Sequence, residues 1–87
     1  MDRRTSDIKK PHRWKPSILT VDAQEMVNAY AGKGELKWFK GHDYPREYFM
    51  HTEIVGQYWD KDIKDYVDTS RAVIVYSTKG THVFPVR

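Results

Sequence analysis

Ser77, Thr78, Lys79, Gly80, Thr81 and His82 stand in consecutive positions near the C-terminal end of this 87-residue chain. Hydroxyls, an ammonium, an imidazole and the N–H groups of a turn are the groups that cleavage of an RNA phosphodiester calls for. The substrate brings its own nucleophile, the 2′-hydroxyl. The protein has to take that proton, return one to the departing 5′-oxygen and stabilise the charge that builds on phosphorus. An imidazole suits the proton steps near neutral pH. A lysine, hydroxyls and turn amides suit the charge. The plainer reading is that Ser-Thr-Lys-Gly-Thr is ordinary hairpin-turn chemistry with a structural histidine beside it.

Other chemistries find less support. The histidines are His12, His42, His51 and His82. None pairs with another at the i, i+4 spacing of a helical metal site, and the chain has no cysteine, so neither a metal nor another cofactor is expected. No Gly-x-Ser-x-Gly elbow is present. Asp60, Asp62 and Asp65 superficially resemble a calcium loop, but its glycine and its closing glutamate are missing. Gly32-Lys33-Gly34 is a weak phosphate signal, because a Gly-rich anion site needs a helix after it and the helical pattern here lies before it.

The elements that would hold the cluster are read from period and punctuation. Asp22 is a helix N-cap with Glu25 three residues on, and Val21 and Met26 have the spacing of a hydrophobic staple. The spacing predicts a helix over 22–31, with Gly32 taking the left-handed C′ position. Residues 35–40 read as a short strand, 41–47 as a loop, and 48–59 as a longer strand or strand pair in which Gly56 marks a bulge or a close backbone approach. The acidic stretch 60–70 reads as a loop. Residues 71–77 form the clearest strand, central in its sheet. A short Gly-containing turn then leads into 81–86, where Pro85 implies an edge position or a strand end. Together these predict an α+β domain, an N-terminal helix packed on an antiparallel sheet of about four strands.

The length bounds the chain to one domain with a modest core. Residues 1–16 read as a basic, extended arm and 17–87 as the folded domain. The net charge of +3 is segregated: +4 over residues 1–16, zero over 17–41, −4 over 42–70 and +3 over 71–87. The basic ends fit a nucleic-acid footprint, with Arg3, Arg4, Arg13, Trp14 and Lys15 as the arm's contacts to backbone and base. The same composition also suits an arm that only keeps the protein soluble. No apolar run is long enough to span a membrane, and the N-terminal segment lacks the apolar stretch of a signal peptide.

Leu19, Thr20, Asp22, Gln24 and Met26, then Tyr30–Gly32 and Gly34, then Tyr76, Ser77, Gly80–His82 and Pro85 together resemble the motifs of the polymorphic toxin type 50 family. The likeness covers about residues 17–87, and its last motif is the most specific. It implies an RNase toxin domain of barnase–EndoU–colicin–RelE-like fold, found at the C-termini of secreted toxins and of phage minor head proteins. It further implies action on RNA in the bacterial cytoplasm and a cognate immunity protein as partner. Carried over, Tyr76, Ser77 and His82 are the matching site positions, with Lys79 and Thr81 beside them. In this scheme His82 is the acid or base, Lys79 meets the phosphate, and Ser77, Thr81 and Tyr76 position it. The family usually places a histidine before Tyr-Ser, where this chain has Val75, and an upstream Lys-His-Ile aligns near Thr5. His12 and His51 are the histidines left to stand in for them. The rival reading is a non-catalytic module of phage origin that holds nucleic acid or a host protein.

Overall fold

A computed structural model describes residues 15–87. Its elements are β1 (Ile18–Leu19), α1 (Ala23–Tyr30), β2 (Glu35–Lys37), β3 (Arg46–Met50), β4 (Gly56–Asp60), β5 (Asp65–Thr69), β6 (Arg71–Ser77) and β7 (Gly80–Pro85). All strand pairs are antiparallel, and they form two sheets, β1-β4-β5 and β2-β3-β6-β7.

This corrects the α+β expectation. The described chain is 45% strand and 11% helix, divided between two sheets rather than one. A strand precedes the single described helix, which has eight residues and buries one side chain, Met26. It is not an N-terminal helix packed on a sheet. The second sheet exists because Ile18–Leu19, given no element from the sequence, and residues 65–69, read as part of a loop, are strands. Ile18–Leu19 pairs with β4, and Asp65–Thr69 forms a hairpin with it. The acidic turn between β4 and β5 is built by Asp60, whose Oδ1 accepts from the N–H of Asp62 at 2.9 Å, while Lys64 takes a left-handed φ of 55°. Aspartate disfavours strands, but here it is paired: Asp68 accepts from Gln57 across the hairpin at 2.9 Å, and Tyr66 meets Trp59 edge-on at 5.3 Å.

The helix forms where its signals lie. Asp22 accepts from the N–H of Gln24 at 2.9 Å, and Gly32 takes φ 85° just past the last turn. β6 is central and β7 is the edge, as the apolar run and Pro85 imply. Gly56 is a close approach: a Cβ there would overlap the Ile18 carbonyl and sit 2.6 Å from Cγ of Pro85, where the two sheets meet.

The core is Met26, Phe49, Val55, Ala72, Ile74 and Val83. Each large side chain contributes about 1.5–3 kcal/mol by burial. The four-stranded sheet supplies this cluster from one face only. Phe49 pairs with Ala72, Glu47 with Ile74 and Ile74 with Val83, and paired residues share a face. The opposite, outer face carries the alternate residues.

Candidate functional site

Strand alternation divides the 76–82 cluster. His82 pairs with Val75 and Ser77 with Gly80, so Ser77 and His82 project from the outer face. Tyr76 pairs with Thr81, and both belong to the inner face. Lys79 lies in the tight turn and is exposed. The Ser77 hydroxyl donates to the Gly80 carbonyl at 2.9 Å and accepts from the N–H of Lys79 at 3.2 Å, so it closes the hairpin turn. His82 is exposed and stacks on Phe84, with ring centroids 6.2 Å apart and an interplanar angle of 25°.

The register assembles a row that spacing alone does not show. Lys37 pairs with Arg46, Arg46 with Val75, and Val75 with His82. One residue from each strand of the sheet therefore lines up across the outer face: ammonium, guanidinium, an aliphatic floor, imidazole. With strands about 4.8 Å apart, Arg46 and His82 flank Val75 across about 10 Å. The position where the family usually has a histidine is thus the floor between them. Two cations of the row lie over rings: the Arg46 guanidinium is 5.0 Å from the Phe39 centroid, and the Lys37 ammonium 5.2 Å from that of Tyr48. Beside the row opens a cleft of about 300 Å³, lined by the 41–46 loop and by Val75–Thr78. His42 lies on its wall, its ring in a T-shaped arrangement with Phe39. Lys37, Arg46 and His42 had no part in the sequence-derived site. Their signal was the strand register, which joins segments far apart in the chain.

A second polar group lies under the inner face. Glu47 is 1% exposed, yet its carboxylate is held by three donors. The Gly32 N–H approaches at 3.1 Å, the Gly34 N–H at 2.7 Å and the Tyr76 hydroxyl at 2.5 Å. Burial pushes the Glu47 carboxyl up, but the Tyr76 hydroxyl and the amides of the 32–34 turn outweigh it and hold the group below its ordinary 4.5. Burial and the facing carboxylate push the Tyr76 phenol up to about 12. The Gly-Lys-Gly turn does grip an anion, but the anion is the chain's own carboxylate.

His51 does not reach the row. It lies past the far end of β3 from Arg46, and its Nδ1 is 2.6 Å from the Tyr30 hydroxyl. Arg3, Arg4, His12, Arg13 and Trp14 lie outside the described residues. Lys15 is exposed, with its ammonium 4.9 Å from the Trp59 ring centroid. Among the described residues no group of three or more His, Cys, Asp or Glu is placed to hold a metal ion, and no helix is long and apolar enough to cross a membrane.

Fold and site define a small, mostly antiparallel-sheet domain whose outer sheet face presents Lys37, Arg46 and His82. The chain belongs to the bacterial toxin 50 family, whose model matches residues 3–85, and is a toxin domain. Searches of curated proteins and of solved structures return no match.

Proposed function

We propose that this toxin domain is a ribonuclease acting without a metal. The observation that carries the reading is the row Lys37–Arg46–Val75–His82 on an open sheet face, beside a cleft. A phosphate seated over Val75 meets Arg46 on one side and His82 on the other. The substrate 2′-oxygen attacks phosphorus, the P–O5′ bond breaks, and the products are a 2′,3′-cyclic phosphate and a 5′-hydroxyl. His82 takes the 2′-hydroxyl proton or delivers one to the leaving oxygen, and solvent water carries the other of the two protons. Arg46, Lys37 and the turn lysine Lys79 stabilise the phosphorane charge. Ser77 and Thr81 shape the turn, and Tyr76, bonded to Glu47, positions β6. The substrate is bacterial RNA in the cytoplasm, and the toxin family makes an immunity protein the natural partner. Incubation with total tRNA in EDTA should give fragments ending in 2′,3′-cyclic phosphate. RNA fully 2′-O-methylated should stay intact, and cutting of that RNA would rule out the 2′-hydroxyl mechanism.

A non-catalytic binding module is the second reading. It is favoured by Val75, which puts an aliphatic side chain where a second proton carrier would complete the row. This reading expects RNA to be retained and left uncut.

A further inference from the structure

The outer face is built for bases as well as phosphates. Two rings flank the cationic row, one on each side. On the β2–β3 side Phe39 is 39% exposed and carries Arg46 on its face; on the β7 edge Phe84 is 45% exposed and stacks with His82. The rings thus lie on both sides of the groups that would hold the phosphate. Four acids, Asp60, Asp62, Asp65 and Asp68, belong to the β4–β5 hairpin of the other sheet, while Glu35 shares the outer face beside Tyr48 and Asp43 lies on the cleft wall. A face alternating exposed rings with guanidinium and ammonium groups complements a polyanion whose π-faces are accessible. A paired A-form helix hides those faces within its stack, and an unpaired strand exposes them.

We infer that the face binds unpaired RNA, with one base stacked at Phe39, the phosphate over Val75, and the next base stacked at Phe84 and His82. The inference takes its ligand from the ribonuclease reading and adds that the substrate is single-stranded.

Its test separates binding from cleavage. A fluorescein-labelled 2′-O-methyl RNA 12-mer, which lacks the nucleophile, is titrated with the whole chain by anisotropy, single-stranded and annealed to its complement. The single strand should bind at least tenfold more tightly. Phe39→Ala and Phe84→Ala should each weaken it about five- to a hundredfold, with unchanged circular dichroism. Equal affinity for the duplex, or unchanged affinity in both variants, overturns the inference even if tRNA is cut. Failure of either form to bind at low salt also overturns it and leaves the aromatic face to a protein partner. Single-strand binding without cleavage of unmodified RNA sustains the inference and sinks the ribonuclease reading.

Discussion

The carboxylate of Glu47 is the most constrained charge among the described residues, and its consequences are local. Glu47→Ala leaves two turn amides and a phenol without their acceptor, so unfolding should cost about 3 kcal/mol less than for the wild type. Because its folded pKa is depressed, the carboxylate's contribution is fully present above its ordinary 4.5 and is lost as pH falls through the lower folded value. Tyr76 behaves in the opposite sense. Its raised folded value means its contribution is complete below 10 and is lost as pH rises through about 12. Urea titrations across pH should show both slopes, with Glu47→Gln flattening the acid side and Tyr76→Phe the alkaline side. Slopes unchanged in these variants would contradict the assignment. Little of this group was legible in the sequence. Gly-Lys-Gly announces an unusual turn, but its acceptor lies across a strand pairing. Likewise, the identities of Ser77 and His82 could be read directly, whereas their separation from Tyr76 and Thr81 follows from the pleat.

Elements whose signals are local were legible: the Asp22 cap, the Gly32 stop and the apolar run of β6. Those decided by distant partners were not. Residues 65–69 carry two aspartates that argue for a loop, and cross-strand contacts to β4 make them a strand. That one hairpin changes the fold from one sheet to two. The glycines test the joints. Gly56→Ala must displace the Ile18 backbone and Pro85, at about 3 kcal/mol. Gly32→Ala meets nothing within 4 Å and bears only the left-handed strain, about 1 kcal/mol. Chemical denaturation of the two variants should rank them in that order, and a reversed order would mean that the sheets do not meet at Gly56.

Over the whole molecule, part of the charge segregation seen along the chain becomes a division between surfaces, with Glu35 and Asp43 left at the cationic face. The acidic stretch forms the β4–β5 hairpin, while Lys37, Arg46 and His82 share the outer face of the other sheet. RNA affinity should therefore fall linearly on a log–log plot against salt, and Lys37→Ala and Arg46→Ala should each reduce the slope by about 0.7. Slopes identical to the wild type would place the RNA elsewhere. His82 is exposed, so His82→Ala should change stability by no more than about 0.5 kcal/mol. The most direct measurement of the central claim is the rate of tRNA cleavage in EDTA by wild-type protein and by His82→Ala at matched folded concentration. The ribonuclease reading predicts cleavage by the wild type and a rate about 10²- to 10⁴-fold lower in the variant. No cleavage by the wild type, or equal rates for the two proteins, would contradict it.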